Sequence, residues 1–249
     1  YVEIGTEFDD PGAVANDADD GDLTGAITVT SDMDTDSSGE YTVTYSVIDS
    51  DGNYVEATRT TIVAGICNGE WATITGTFDD DVIVGTSSDD VIVGLSGNDR
   101  IKGGGGDDTI CGGAGRDRLM GGDGADHLMG DADKDVLLGQ DGDDILTGGP
   151  GRDILSDGSG TDIVNGGPGV DTVIDGPGDD HSFGGAGWGD KIDFGRNTEG
   201  ISIALSQAMG EEHGVLWVSG FERVKGTRFA DVVYGTSERE RIITRAGAD

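Results

Sequence analysis

Apolar side chains in the middle of this chain recur every nine residues. Cut into blocks beginning at Gly76, Gly85, Gly94, Gly103, Gly112, Gly121, Gly130, Gly139, Gly148, Asp157, Gly166 and Asp175, the eighth position is aliphatic in eleven of twelve, from Ile83 through Val173, with Ser182 the exception. The sixth position is Asp in all twelve: Asp81, Asp90, Asp99, Asp108, Asp117, Asp126, Asp135, Asp144, Asp153, Asp162, Asp171 and Asp180. No insertion breaks the register over residues 76–183, which neither chance nor a disordered Gly/Asp linker produces. A block with one large aliphatic cannot bury a face alone. The period therefore predicts a solenoid in which the end of each block is a short strand. Two blocks make one turn, and block n stacks over block n+2 about 4.8 Å away.

Elsewhere the period is two. Residues 26–30, 41–47 and 54–63 alternate as β-strands, and Asp49-Ser50-Asp51-Gly52-Asn53 between the last two predicts a hairpin turn. Residues 64–75 read as a degenerate leading block with Ile74 at the inward position. After Phe183 the register slips by one residue, because Gly184 to Asp190 carries an extra residue. Residues 191–225 return to alternation (Ile201, Ile203, Leu205; Val215 to Phe221). Two weaker blocks follow, Gly226 to Tyr234 with Asp231 and Gly235 to Ile243 with Glu240, and a third stops at Asp249.

Composition narrows the chemistry. The 249 residues are 34% hydrophobic and 6% aromatic, with 47 Gly and a net charge of −35, too little apolar material for one conventional core. Within residues 76–183 there are 24 Asp, no Glu and six Lys or Arg, a net −18, which a compact roll would not tolerate without cations. Such a chain repels nucleic acid and anionic membranes, and it holds no apolar run of ~18 residues for direct membrane insertion. Divalent metal is the natural counterion. The two cysteines, Cys67 and Cys111, suit one disulfide in an oxidising compartment better than a zinc site, which needs about four ligands. Cys111 is the ninth, outward-facing residue of its block, so a bridge requires residues 64–70 to leave the repeat path. Tyr1 opens in mid-pattern, as if the chain were cut from a longer one.

Gly112-Gly113-Ala114-Gly115-Arg116-Asp117-Arg118-Leu119-Met120 is the type unit. Its glycines allow positive φ and bare carbonyls in a tight loop, and its Asp adds a hard anionic oxygen. Six to eight oxygens at 2.3–2.6 Å suit Ca²⁺ better than the smaller Mg²⁺ octahedron. The unit resembles the RTX, or haemolysin-type, nonapeptide. That resemblance implies a right-handed parallel β-roll in which sixth-position aspartates of blocks n and n+2 share each Ca²⁺. The pairs run from Asp81 with Asp99 and Asp90 with Asp108 to Asp162 with Asp180. Carbonyls of loop residues such as Gly104, Gly106, Gly113, Gly115, Gly122, Gly124, Gly149, Gly151, Gly167 and Gly169 complete the shell. Twelve blocks give ten such pairs. Asp131 and Asp133 in place of glycine, and Asp79 and Ser88 at the fourth position, lower the expectation to about six to ten ions.

The features Phe8-Asp9-Asp10-Pro11-Gly12, Asp20-Gly21-Asp22-Leu23-Thr24, Gly39 to Tyr45 and Asp51-Gly52-Asn53 resemble bacterial immunoglobulin-like domains of surface and secreted proteins, with the first strand missing upstream of Tyr1. Three parts are expected: an Ig-like β-sandwich at 1–63, the roll at 64–189, and a β-rich cap with degenerate repeats at 190–249. The fold class is all-β. Asp49-Ser50-Asp51-Gly52 and Asp32 to Asp36 look superficially like EF-hand loops, but Thr60 and Val43 stand where the bidentate Glu belongs, so both read as turns. His127, His181 and His213 read as surface residues, and Trp71, Trp188 and Trp217 as cap packing. No HExxH, GxSxG or P-loop occurs, and no enzyme is expected in this chain. The function expected is an extracellular calcium-binding module with a structural, folding or adhesive role. The alternatives are the C-terminal part of a larger RTX enzyme or toxin, and a filament or adhesin subunit that self-associates, or meets a neighbouring Ig-like domain, through an open sheet edge.

Overall fold

The computed structural model describes residues 1–187 and 189–194 and the strands at 202–205, 216–219, 223–225, 232–234 and 241–243. It divides into two compact units, Tyr1–Ile66 and Cys67–Asp249. The described residues form strands and one short 3₁₀ turn, Thr24–Ala26, and no helix among them is long and apolar enough to cross a membrane.

In the first unit, alternation places Val43, Tyr45 and Val63 in the core. The sheet runs in the order Val2–Glu3, Tyr54–Ala64, Gly39–Ile48, Thr28–Ser31. The two long strands pair antiparallel from Gly39↔Val63 to Ile48↔Tyr54. Their turn closes on Asp49, whose carboxylate accepts the Asn53 N–H at 2.8 Å and the Asn53 side-chain amide. Asp32 and Asp34 likewise accept the backbone N–H groups of Thr42 and Asp36. These acids cap turns. A small hairpin, Asn16–Asp17 with Gly21–Asp22, lies in the connection before the sheet. Residues 8–12 are tied to the sheet by Arg59, which donates to Asp10 Oδ1 at 3.0 Å and to the Gly12 carbonyl at 3.1 Å, while Tyr45 donates its hydroxyl to Asp10.

The second unit is a parallel β-solenoid of two sheets. Strands from alternate blocks enter alternate sheets. One aliphatic column runs Ile83, Ile101, Leu119, Leu137, Leu155, Val173 and Ile192, and the other runs Ile74, Ile92, Ile110, Leu128, Leu146, Val164 and Ser182. Partners are 18 residues apart, two blocks, except at Val173↔Ile192, where the inserted residue makes the step 19. The columns meet in one core with Phe194. Each fully buried aliphatic contributes about 1.5–3 kcal/mol by leaving water. Several strands are longer than the block end, since Arg118–Asp123 runs from the seventh position of one block to the third of the next.

Beyond Phe194 the strands Arg223–Lys225 and Arg241–Ile243 continue one sheet, again 18 residues apart. Leu216–Ser219, Ser202–Leu205 and Val232–Tyr234 continue the other. Trp188, His213, Ile201, Val215, Phe221, Asp231, Glu240 and Asp249 lie outside the described residues, and only the backbone of Trp217 is described. His181 is exposed and His127 half-buried, with Nδ1 3.4 Å from the Asn68 amide nitrogen.

The disulfide joins Cys67 to Cys111 with 5.8 Å between Cα atoms. Residues 66–71 leave the repeat path as a two-residue hairpin, Ile66–Cys67 with Glu70–Trp71. Cys111 lies outside the roll's core column, yet it is buried. It packs with Cys67 and Val93 in a second apolar cluster against Ala72, Val91, Leu95 and Met129.

Candidate metal centre

Each block turns the corner of the roll at its glycines. Gly113 and Gly115 have φ of +105° and +128°, and a methyl built on them would lie 2.0 Å from the Leu95 carbonyl oxygen and 1.7 Å from that of Gly97. The same close approach to the loop two blocks earlier holds at Gly104, Gly106, Gly122, Gly124, Gly149, Gly151, Gly167 and Gly169. Glycine lets successive loops stack backbone on backbone with no Cβ in the way. Where glycine is absent the backbone keeps the same shape: Leu95, Asp131, Asp133 and Gln140 all have positive φ, between 67° and 91°.

The stacking puts the sixth-position aspartates in two columns. Asp81 donates its backbone N–H to Asp99 Oδ1 at 2.8 Å, and the contact repeats two blocks apart to Asp162 with Asp180 at 2.9 Å. The predicted pairs are therefore neighbours, each joined by a backbone donor to one carboxylate oxygen. The other oxygen has a different fate. Oδ2 of Asp99, Asp108, Asp117, Asp126, Asp135, Asp144, Asp153, Asp162, Asp171 and Asp180 is buried and has no hydrogen-bond partner. A buried anionic oxygen without a donor is costly, and it asks for a cation.

The space beside these oxygens is shaped for one. A methyl built on first-position Gly112 would lie 2.5 Å from Asp117 Oδ2 and 2.9 Å from the Gly130 carbonyl oxygen. On Gly130 it would lie 2.6 Å from both Asp135 Oδ2 and the Gly148 carbonyl oxygen. An anionic oxygen and a carbonyl thus converge on a cradle that a side chain would fill. This all-oxygen donor set fits Ca²⁺ and not a thiolate- or imidazole-preferring metal. When bound, the ion would supply charge neutralisation and cross-linking of successive turns. The aspartates hold their own orientation through the backbone N–H bonds.

Electrostatics follow the same geometry. Burial raises the carboxyl pKa of Asp99, Asp126 and Asp171 to about 6, of Asp144 and Asp180 to about 7, and of Asp135 to about 8. Backbone N–H bonds oppose the rise, and in most of them neighbouring aspartates add to it. Asp108, Asp117, Asp153 and Asp162 are raised for the same first reason.

The first two blocks differ. Asp81 Oδ2 accepts the Thr77 N–H and hydroxyl, and Asp90 Oδ2 accepts those of Thr86. Burial pushes the Asp90 carboxyl up, but the Thr86 and Thr73 bonds outweigh it and leave it low. These are the blocks with Asp79 and Ser88 where every later loop except that of Asp133 has glycine.

Two residues join the columns that repeat counting misses. Asp190 follows the one-residue slip, and its Oδ1 accepts the Asp171 N–H at 2.7 Å. Its signal was the Gly-rich run from Gly184, which ends in Asp one position late. Asp157 stands at a first position and is fully buried beside Asp162 and Asp180. Its signal was Asp where ten other blocks have Gly.

Residues 1–63 match the family model for the bacterial surface protein, Ig-like domain. Residues 72–99, 84–119, 120–155 and 156–187 match the RTX calcium-binding nonapeptide repeat in four copies. No curated protein sequence matches the chain. The chain is thus a bacterial surface Ig-like domain followed by an array of RTX calcium-binding nonapeptide repeats, the module of a surface or secreted protein.

Proposed function

We propose that this chain is an extracellular module whose roll folds on Ca²⁺ and serves as a stiff structural or folding element of its parent protein, with sixth-position aspartates as the ligands. The division of labour is a spacer at 1–63, a calcium roll at 64–189 and a cap at 190–249. The observation that carries the reading is the row of ten buried, unpartnered Oδ2 atoms from Asp99 to Asp180, eight of them beside the first-position glycine of their own block. With a net −18 over residues 76–183, about six to ten divalent ions bring the array near neutrality. Neither matching family is a catalytic one, which supports a binding or structural role for this module.

Circular dichroism in EDTA and then in rising Ca²⁺ tests it. Little more than the β signal of the first unit is expected without calcium. A steep gain should follow, with a midpoint of about 0.1–1 mM, the range of extracellular modules, because neighbouring sites share loops. A β spectrum that calcium leaves unchanged rejects the reading.

An adhesive or filament role has one observation behind it. The strand Tyr54–Ala64 is paired on its outer edge only at Val63 and Ala64, and Tyr54 and Val55 are exposed. Sedimentation at rising concentration checks this: growth of oligomers that Val55→Lys abolishes supports an edge contact, and a persistent monomer rejects it.

A further inference from the structure

We infer that Asp157 turns the cradle it shares with Asp162 and Asp180 into a three-carboxylate cation site, the tightest of the roll and selective for higher cation charge. This rests on the reading of the sixth-position aspartates as ligands. In ten blocks the first residue is Gly, and the space beside it is bounded by the Oδ2 of that block's own Asp. Gly148, one block earlier, shows the empty form, with Asp153 Oδ2 2.8 Å from where a methyl would begin. In the tenth block Asp157 puts a carboxylate there instead.

That carboxylate is held in place. Its Oδ1 accepts N–H bonds from Gly158 and Gly176, both at 2.7 Å, one from its own loop and one from the loop two blocks on. Asp162 Oδ1 is held by the Asp144 N–H at 2.7 Å and Asp180 Oδ1 by the Asp162 N–H at 2.9 Å. In all three the Oδ2 is buried and unpartnered. One carboxylate oxygen from each lies within 4.8 Å of the others, and among the described residues no other such group of three occurs. No ion pair among the described residues reaches them. Three pinned, buried carboxylates repel one another unless a cation sits between them. More ligand charge tightens a calcium site, and a third carboxylate favours a trivalent ion over a divalent one.

The probe is Tb³⁺ titrated into the calcium-loaded full chain, with luminescence lifetimes in H₂O and D₂O counting coordinated waters. The first equivalent should exchange roughly tenfold more tightly than later ones and carry fewer waters. Asp157→Asn should lose that first step while Ca²⁺ still folds the array. Asp157→Gly, which restores the first-position residue of neighbouring blocks, should do the same and guards against an Asn variant that misfolds. A first step that persists in either variant overturns the inference. So does a wild-type chain that folds with Ca²⁺ but shows no distinct first step. Failure of both variants to fold at saturating Ca²⁺ also overturns it, by making Asp157 a backbone clamp on Gly158 and Gly176. A wild-type chain that Ca²⁺ does not fold is a different result and rejects the wider reading.

Discussion

Asp117 and Asp107 carry the same charge and do different work. Asp117 is buried, with one oxygen on the Asp99 N–H and the other unpartnered. Asp107 is exposed at a fifth position, and its Oδ1 accepts the Ala125 N–H at 2.8 Å. The fifth-position acids face solvent and also form a second ladder on the outside of the loops, continued by Asp143 to the Thr161 N–H. On the proposed assignment, Asp117→Ala removes a ligand from the sites shared with Asp99 and Asp135. It should raise the calcium midpoint for folding about threefold or more, because binding energy here is folding energy. Asp107→Ala removes one exposed bond and should move the midpoint much less. Equal shifts in parallel titrations would make the sixth-position assignment wrong. Glycines separate as sharply. Gly115→Ala forces a methyl to 1.7 Å from the Gly97 carbonyl oxygen at a positive φ and should abolish calcium-dependent folding. Gly105→Ala meets only Asp123 at 3.8 Å and should be tolerated.

At the scale of one loop, the non-glycine residues at positive φ are stored strain. Gln140 has φ +91° and an exposed side chain, so Gln140→Gly keeps the loop shape and should stabilise the holo roll by about 1 kcal/mol, seen as a lower calcium midpoint. A higher midpoint would mean the entropy of the added glycine outweighs the relief. The leading hairpin is the other element with a cost attached. The Cys67–Cys111 bridge closes 44 residues and contributes up to ~4 kcal/mol on the chain-entropy model. A Cys67→Ser/Cys111→Ser chain should keep its calcium-induced β signal but unfold at lower denaturant. Mass spectrometry of the native chain without reductant should show no free thiol.

For the whole roll, the proposed ligand assignment makes protons and calcium compete to neutralise the same carboxylates. Burial pushes the carboxyls of Asp99, Asp126, Asp171, Asp144, Asp180 and Asp135 up to about 6 to 8 in the compact form, against an ordinary 3.8. A raised folded pKa means that protonation favours the compact state. That stabilisation is complete below about pH 3.8 and is lost as pH rises through 6 to 8. In EDTA the array should therefore gain β structure on acidification to pH 4.5 and lose it by pH 8, where only calcium restores it. A metal-free chain that is equally β-rich at both pH values contradicts the electrostatic account.

Much of this was legible in the sequence because the repeat is local and periodic. One aliphatic and one Asp per nine residues specify which positions stack, and the 18-residue register from Ile83↔Ile101 onward is twice that period. Even the slip before Asp190 could be counted. Tertiary structure decided what counting cannot reach. The sequence shows an Asp at the sixth position of all twelve blocks, but only packing shows that Thr77 and Thr86 satisfy Asp81 and Asp90 while the Oδ2 atoms from Asp99 to Asp180 have no hydrogen-bond partner. It marks Asp157 as an exception without saying that three carboxylates converge there. It leaves Cys67 and Cys111 forty-four residues apart, and only the departure of residues 66–71 from the repeat path brings their Cα atoms to 5.8 Å. Periodicity fixes neighbours along a column, whereas the partner of a single carboxylate oxygen or thiol depends on which chain segment occupies the space beside it.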